Sequence, residues 1–327
     1  MSIAPSVLAI SGGIGGAKLA LGLQSTLPAG ALAVLVNTGD DFRHLGLAIS
    51  PDLDTVLYTL AGVADDERGW GRADETWNFF HELVDRGGPA WFRLGDRDLA
   101  VHVERTRRLA AGESLTSITN HLVKRFSVES LVMPMCDAPV RTVLDTDAGT
   151  LAFQDYFVRL QCAPTVSAIA FHGASEATPS PEVLELLASG TLEAIVICPS
   201  NPWLSIDPIL AVPGLREALA AASAPIVAVS PVIGGRSVKG PTAKLMRELG
   251  LTVSQASIAR HYDGLIDGLL VDDQDIDTAG GLGVSTASAN LLMESLQDKM
   301  VLAQATLAFA ATLRSTRASR SLLCASA

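Results

Sequence analysis

The chain has 327 residues, of which 48% are hydrophobic and 18% are charged, and its formal net charge at pH 7 is -11. This composition is too apolar for a disordered chain, and the length allows one large α/β domain or two smaller domains. The acidic balance argues against general nucleic-acid binding and against docking on anionic membranes, because both depend on clustered positive charge.

The start of the chain and the cysteines indicate a cytoplasmic protein. Residues 1–7 show neither the basic start nor the long apolar run of a secretory signal. The most apolar helical stretch, residues 301–313, is too short to span a bilayer. The four cysteines are far apart and form no CxxC pair, so we expect free thiols rather than a zinc site or disulfides.

Short runs of apolar residues recur along the chain and predict buried parallel strands. They are apolar throughout rather than alternating, which is typical of strands covered on both faces. Helix patterns that open on a proline lie between several of them. Strands that alternate with helices predict an α/β fold with a doubly wound, mainly parallel, Rossmann-like sheet. The predicted strands are residues 7–11, 32–36, 130–133, 166–171, 194–198, 226–230 and 269–271.

Three segments depart from this alternation. Residues 65–127 have mainly helical patterns and predict a helical insertion between two parts of one core, residues 1–64 and 128–327. Residues 141–145 and 150–153 flank an Asp-Ala-Gly turn and predict a small β-hairpin. Residues 287–313 are rich in alanine and leucine and predict one long helix.

A glycine-rich turn, SGGIGGAK at residues 11–18, follows the first predicted strand and opens a helix. Glycines let backbone amides approach a phosphate, and a helix N-terminus favours negative charge. The spacing matches neither the Rossmann nor the Walker motif, and the alternative is a tight turn that binds nothing. Because the turn has more glycines than its geometry needs, we expect phosphate binding by Gly12, Gly13, Gly15, Gly16 and Lys18.

Four carboxylates follow the second predicted strand. Asp40 and Asp41 lie in the segment NTGDD, and Asp52 and Asp54 lie in the segment SPDLDT. Open α/β sheets bind ligands beyond the carboxyl ends of their strands, and clustered carboxylate oxygens suit Mg²⁺. The alternative is that Asp40 and Asp54 cap helices while the other two are solvated. For Asp54, a solvated side chain is a second alternative to a chemical role.

Further polar segments lie in the insertion and after later strands. In RLGDRD, residues 93–98, Arg93 and Arg97 are planar forks suited to phosphate or an anionic ring, whereas Asp98 suits a helix N-cap. Trp70 and Trp91 are candidate lid residues over a flat ligand. The turns after two later strands offer a place for a nucleotide, through Ser200, Asn201, Ser205, Ser230, Gly234 and Gly235.

These motifs together resemble one family, the 2-phospho-L-lactate transferases of coenzyme F420 biosynthesis. The matching segments run in family order across nearly the whole chain, and SPDLDT followed by LGDRD is the most specific part. One departure is Ile14, where we would expect threonine, which removes a side-chain hydroxyl but not the backbone amides.

The resemblance implies a reaction. The acceptor is the deazaflavin Fo, and the donor is a guanosine diphosphate-linked three-carbon acid of the 2-phospho-L-lactate or phosphoenolpyruvate type (LPPG or EPPG). The terminal ribityl hydroxyl of Fo attacks the phosphorus next to the acid, GMP leaves, and F420-0 or dehydro-F420-0 forms. Mg²⁺ is the implied cofactor and a homodimer the implied assembly.

The resemblance also assigns roles to residues. Asp54 and Arg93 occupy positions that bind Fo, and we add Asp96 and Arg97 to that pocket, to which the insertion contributes. Asp54 and Asp52 are the expected catalytic residues, with Asp54 contacting the acceptor hydroxyl as a base. Part of the set Asp40, Asp41, Asp52 and Asp54 would hold the metal, and GDP or GMP would lie over the turns at residues 200–205 and 230–235.

Two other classes compete with a transferase. A non-catalytic, nucleotide-sugar-binding regulator of the YvcK-like gluconeogenesis-factor type would share the glycine-rich start and the fold. The paired SPDLD and LGDRD segments favour the transferase over that regulator. An NAD oxidoreductase is disfavoured because the glycine spacing is wrong and because Asn37, not a lone acid, follows the second strand.

Overall fold

The computed structural model describes residues 4–237 and 240–325. Its strands are β1 (Val7–Ser11), β2 (Leu32–Val36), β3 (Phe42–His44), β4 (Leu47–Ile49), β5 (Leu131–Pro134), β6 (Arg141–Thr146), β7 (Gly149–Ala152), β8 (Val166–His172), β9 (Ala194–Ile197), β10 (Ile226–Val229), β11 (Val232–Ile233), β12 (Arg236–Ser237), β13 (Gly268–Asp272) and β14 (Ser285–Ala289). Its α-helices are α1 (Gly13–Thr26), α2 (Pro51–Leu60), α3 (Asn78–Asp85), α4 (Asp96–Ala110), α5 (Leu115–Arg125), α6 (Pro181–Ala188), α7 (Asp207–Leu210), α8 (Leu215–Ala221), α9 (Thr242–Glu248), α10 (Gln255–His261) and α11 (Leu296–Ala325).

The centre of the fold is a seven-stranded sheet in the order β14-β13-β10-β9-β1-β2-β5, and every neighbouring pair is parallel. The predicted Rossmann-like α/β class is therefore confirmed. Strand β1 lies between β2 and β9, so the strand order reverses there. Ligands of open α/β sheets bind outside the carboxyl ends of the strands at such a reversal.

Burial on both faces explains the apolar runs. In β1, Leu8 and Ile10 face one hydrophobic cluster, whereas Val7 and Ala9 face the other, on the opposite side of the sheet. Strands β2, β9, β10 and β13 are likewise buried at every position. This double burial is what removes the polar alternation from their sequences.

Two sequence-based expectations are wrong. Residues 166–171 were expected to form a buried parallel strand, but β8 pairs antiparallel with β6 and most of its residues are not buried. Together with β7 it completes the three-stranded sheet β7-β6-β8, in which the predicted hairpin is confirmed. Residues 287–289 were expected to begin the last helix, but they belong to β14, and α11 begins only at Leu296.

The insertion contains α3, α4 and α5. Helix α3 has no buried residue. Val101 of α4 and Ile118 of α5 lie in the hydrophobic cluster that Val7 and Ala9 of β1 face. The division into a core and an insertion stays a prediction, but α4 and α5 share the core's packing. Among the described residues, none of the helices combines the length and apolar character that crossing a membrane requires.

Candidate active site

A cavity of about 580 Å³ lies beside the turns that leave β1, β9 and β10. Its other walls come from α2, from α4 and from aromatic side chains of the insertion. Twelve of the predicted site residues line it, namely Gly12, Gly13, Gly15, Lys18, Asp40, Asp52, Asp54, Arg93, Ser200, Asn201, Ser205 and Ser230. Six others do not contribute to the cavity wall, namely Gly16, Asp41, Asp96, Arg97, Gly234 and Gly235.

The glycine-rich turn has already used two of its amides. The Gly12 amide donates to Ser200 Oγ at 3.1 Å, and the Gly13 amide donates to Asp52 Oδ1 at 2.8 Å. The first four amides of an α-helix have no acceptor within the helix. The amides left for a phosphate at the cavity are therefore those of Ile14 and Gly15, rather than those of Gly12 and Gly13.

Two of the glycines are needed by the turn itself, one for its backbone conformation and one for its close packing. Gly13 has a φ of +66°, a conformation that disfavours other residues. A Cβ atom at Gly16 would lie 2.4 Å from Ser11 Oγ and 2.5 Å from Ser200 Oγ. Gly16 therefore lets α1 approach the ends of β1 and β9, instead of facing a ligand.

Three carboxyl groups crowd the end of β2. Asp52 accepts hydrogen bonds from Asn37 Nδ2 at 2.9 Å and from the Gly13 amide. Asp41 accepts one from Ser50 Oγ at 2.7 Å. Among the described residues, Asp40 Oδ1 and Asp41 Oδ1 are buried without a hydrogen-bond partner.

Burial raises the pKa of each of these carboxyl groups. It raises the pKa of Asp41 to about 7 and that of Asp52 to about 6, although hydrogen bonds to both carboxylates oppose the effect. Burial, and then the neighbouring charge of Asp52, raise the pKa of Asp40 well above its usual range. The charges of Arg105 and Arg141 lower the pKa of Asp41 but do not offset its burial, so a cation bound at the cluster would further favour the charged carboxylates.

Asp54 has neither of the alternative roles that the sequence left open. Helix α2 begins at Pro51 after the N-cap residue Ser50, so Asp54 lies inside the first turn and does not cap the helix. Its side chain is buried, not solvated. Both of its oxygens pair with the guanidinium of Arg105, with Arg105 Nη1 at 3.0 Å from Asp54 Oδ2.

Sequence reasoning missed the partners of this carboxylate. Asp98 is not an N-cap, because Gly95 holds that position in α4. The Asp98 carboxylate is instead buried beside His102, and it accepts a hydrogen bond from Tyr58 OH at 2.7 Å. His102 Nε2 lies 3.2 Å from Asp98 Oδ1. The sequence did carry a signal for these partners, because residues 98, 102 and 105 recur at helical spacing and share one face of α4.

The insertion supplies an aromatic wall with Arg93 at its edge. Trp70 and Trp91, the candidate lid residues, both line the cavity together with Phe92. The guanidinium of Arg93 lies 4.5 Å from the centroid of Trp77, a cation–π contact that fixes its position.

Asp96 and Arg97 lie away from this wall. Asp96 is half-buried and accepts hydrogen bonds from Thr76 Oγ1 at 2.7 Å and from the amides of Asn78 and Phe79 at 3.1 Å. The Arg97 amide donates to Glu75 Oε2 at 2.7 Å. In this structure the two residues hold the insertion together and do not face the cavity.

The other end of the cavity carries the turns after β9 and β10. Asn201 Oδ1 accepts from the amides of Trp203 and Leu204, while Asn201 Nδ2 is buried without a partner among the described residues. That amide is a donor in a fixed orientation. Gly234 instead donates to Asp275 Oδ2 at 2.9 Å. Lys239, in the segment KGP that follows this turn and belongs to the family resemblance, lies outside the described residues.

Two π-helices from separate parts of the chain, Asp155–Arg159 and Pro202–Ile206, border the cavity. Such helices are rare and are frequent at functional sites. Phe157 and Val158 come from the first, and Leu204 and Ser205 come from the second.

Fold and site thus define an α/β protein that offers free helix amides and crowded carboxylates where its strand order reverses, as a nucleotide-dependent phosphoryl-transfer enzyme requires. The model of the family described as 2-phospho-L-lactate transferase CofD matches residues 7–287, and the chain belongs to that family. The predicted membership in the transferases of coenzyme F420 biosynthesis is therefore confirmed.

Two relatives agree with this assignment, and a solved structure shares the fold. The phosphoenolpyruvate transferase of Kitasatospora aureofaciens is 44% identical over 318 residues, which cover 94% of this chain and 98% of the relative. The phosphoenolpyruvate transferase of Streptomyces griseus is 41% identical over 317 residues, covering 94% and 99%. A crystal structure of a UPF0052 family protein from Bacillus halodurans has a TM-score of 0.62 at 17% identity over 92% of this chain and 99% of its own, which shows the fold alone.

Proposed function

We propose that the protein transfers a phosphoenolpyruvate group from a guanosine diphosphate-linked donor to the terminal ribityl hydroxyl of Fo. The observation that carries the proposal is one cavity that joins free helix amides, a carboxylate cluster and an aromatic wall. The relatives named phosphoenolpyruvate transferase favour that acid over the 2-phospho-L-lactate of the family's description.

The donor would lie across the strand-order reversal. The amides of Ile14 and Gly15 would donate to its diphosphate at the N-terminus of α1, where the helix dipole favours negative charge. Asn201 Nδ2 is a further donor at the same end of the cavity. These groups bind and orient the donor without changing their own protonation.

Mg²⁺ fits the carboxylate cluster. Asp40 carries a buried oxygen without a partner among the described residues, and burial beside Asp52 raises the pKa of Asp40. Oxygen ligands are those that Mg²⁺ prefers, and it commonly takes one or two carboxylates together with substrate phosphates. Asp40 and Asp52 are the proposed ligands, and the ion would neutralise charge on the diphosphate. Asp54 is less suited to hold it, because the buried guanidinium of Arg105 already neutralises the charge of the Asp54 carboxylate.

The acceptor would lie between α2 and the aromatic wall. Trp70, Trp91 and Phe92 offer flat apolar surface for the deazaflavin ring, and Arg93 offers a donor at its edge. Asp54 would accept the hydrogen bond of the terminal hydroxyl and take up its proton. The hydroxyl oxygen bonds to the phosphorus that carries the acid, the bond from that phosphorus to the bridging oxygen breaks, and GMP leaves with the electron pair.

The test is a donor panel. Purified protein is mixed with Fo, Mg²⁺ and either the enolpyruvyl, the lactyl or the 3-phosphoglycerate-derived donor, and the products are identified by mass. We expect dehydro-F420-0 and equimolar GMP from the enolpyruvyl donor. Product from the lactyl donor alone would overturn the choice of acid. Nucleotide binding without product from any donor would overturn the transferase and favour the regulator.

A matched pair of variants makes the panel specific. Asp52→Asn removes a charge at the cavity, whereas Asp263→Asn removes one from an exposed side chain that does not line it. We expect turnover to fall by at least about tenfold in the first variant and to stay within about twofold of the original in the second. Equal effects of the two substitutions would show that the cluster has no part in the reaction.

A further inference from the structure

Among the residues whose burial the structure describes, Arg105 is the largest fully buried side chain, although it carries a charge. It comes from α4 and lies behind Asp54, because Asp54 lines the cavity and Arg105 does not. Its two terminal nitrogens each contact a different oxygen of Asp54. The carboxylate is therefore held at both oxygens from the side away from the cavity.

The guanidinium is itself fixed by further contacts. Arg105 Nη1 lies 3.2 Å from His102 Nδ1 and 3.4 Å from the carbonyl oxygen of Ala48. An arginine side chain only donates, so His102 Nδ1 is the acceptor, and His102 Nε2 on the other side of the ring lies 3.2 Å from Asp98 Oδ1. This series of contacts ends at Tyr58, whose hydroxyl donates to the same Asp98 oxygen.

These contacts connect α2 and α4 twice. Asp54 and Tyr58 are one turn apart on α2, and they meet Arg105 and Asp98 of α4 with His102 between them. Burying an ion pair costs about as much free energy as the pair returns, so stability alone gives little reason for a buried arginine here. A fixed orientation of the carboxylate is what the planar fork provides.

We propose that Arg105 is a positioning residue, which holds the Asp54 carboxylate in the one orientation that meets the acceptor hydroxyl. This inference rests on the proposed transfer to Fo. Arg105 does not touch the reactants, and it acts only through Asp54. Orientation of a reacting group carries a large part of catalysis, and a displacement of about 1 Å can lower the rate by about 100-fold.

The decisive variant is Arg105→Lys, which keeps the charge but loses the fork. Arg108→Lys is its control, because Arg108 lies on the same helix and pairs with Glu104 and Glu113 instead of Asp54. We expect kcat to fall by about 10- to 100-fold in Arg105→Lys, with the Kd for GDP unchanged, and to stay within about twofold in Arg108→Lys. A kcat per folded molecule that equals the original in Arg105→Lys would overturn the proposal.

A double-variant cycle separates positioning from a general structural role. If Arg105 acts only through Asp54, adding Arg105→Lys to Asp54→Asn should lower kcat by no more than about twofold, the usual scatter of such cycles. A loss of kcat in the double variant that equals the product of the two single-variant losses would overturn the proposal. Should Arg105→Lys not fold, Asp54→Asn is compared with Asp54→Asn/Arg105→Gln, in which neither side chain is charged, and a further loss of kcat beyond that scatter again contradicts it.

The outcome is distinguishable from a failure of the proposed function. Unsubstituted protein that makes no product from Fo and any donor overturns the transfer and the positioning role together. Unsubstituted protein that turns over, alongside an equally active Arg105→Lys variant, overturns the positioning role alone.

Discussion

Asp54 shows how far the environment of one residue can depart from its local sequence. In SPDLDT it resembles a cap or a solvated carboxylate, but the structure buries it against Arg105, fifty-one positions further along the chain. No local sequence pattern predicts a contact between residues so far apart in the chain. The helical spacing of residues 98, 102 and 105 shows that they share a face, but not what that face meets.

The first prediction concerns this carboxylate. Asp54→Asn leaves the buried guanidinium without its counter-charge, and breaking a buried pair in this way costs about 3–5 kcal/mol. We expect a loss of stability toward the lower end of that range, since asparagine still accepts a hydrogen bond, and a loss of turnover of about 10²–10⁴-fold. Urea unfolding and dehydro-F420-0 formation on one preparation measure both.

The matched control for Asp54→Asn is Asp263→Asn, which should change neither quantity. An Asp54→Asn protein with unchanged stability would contradict the buried ion pair. One with unchanged turnover would move the acceptor site toward Asp40.

The second prediction concerns pH and Mg²⁺. Because burial raises the pKa of Asp41 to about 7 and that of Asp52 to about 6, the folded state keeps protons that the unfolded state loses. The stability that these groups contribute is present at low pH and is lost as the pH rises from about 4 to about 7. We expect the free energy of unfolding without divalent metal to fall over this window, and Mg²⁺ to reduce the fall.

Unfolding at about pH 5 and about pH 7.5, with EDTA or with Mg²⁺, measures this effect. An Asp40→Asn/Asp52→Asn variant should show a weaker dependence on pH and on Mg²⁺, since it lacks the proposed ligands. A pH profile that Mg²⁺ leaves unchanged would argue against a metal at this cluster.

Among the elements, the central strands could be predicted because their own residues carry the signal. Strands β1 and β2 are apolar at every position, and the structure gives them the bounds that the sequence predicted. Strand β14 could not be predicted, because STASA has little strand propensity and is extended only through its pairing with β13. Strand β8 shows the opposite problem, since an apolar run does not tell a parallel partner from an antiparallel one.

The third prediction belongs to α3. This helix buries none of its residues, so its attachment depends on hydrogen bonds such as those that Asp96 accepts from residues 76–79. Asp96→Ala should release this end of the aromatic wall. We expect faster hydrogen exchange over residues 76–85 and a higher KM for Fo, with GDP binding unchanged. Asp85→Asn, an exposed change in the same helix, is the control, and equal exchange rates in the two variants would show that Asp96 does not secure α3.

For the whole molecule, the order of the strands does most to define the site. The turns after β1 and β9 are far apart in sequence but adjacent in space, because these strands pair directly. The family resemblance pointed to both turns, while the hydrogen bond between Gly12 and Ser200 became visible only in the fold. The homodimer stays a prediction, which light scattering on the purified protein can test.

The fourth prediction treats the folded protein as one binding unit. A ligand that binds only the folded state at about 100 times its Kd stabilises that state by about 2.7 kcal/mol. We expect GDP with Mg²⁺ to raise the melting temperature more than GDP alone, because the ion would neutralise negative charge on the diphosphate and on the carboxylates. AMP with Mg²⁺ is the control nucleotide, and an equal shift with AMP would contradict a guanosine diphosphate site.

We propose that one cavity holds the guanosine nucleotide and Fo side by side. A crystal structure of the protein with GDP, Mg²⁺ and Fo tests it most directly. We predict the diphosphate at the amides of Ile14 and Gly15, and the deazaflavin ring against Trp70 and Trp91 with its ribityl chain directed at Asp54. Fo bound outside this cavity, or a diphosphate remote from the N-terminus of α1, would contradict the account.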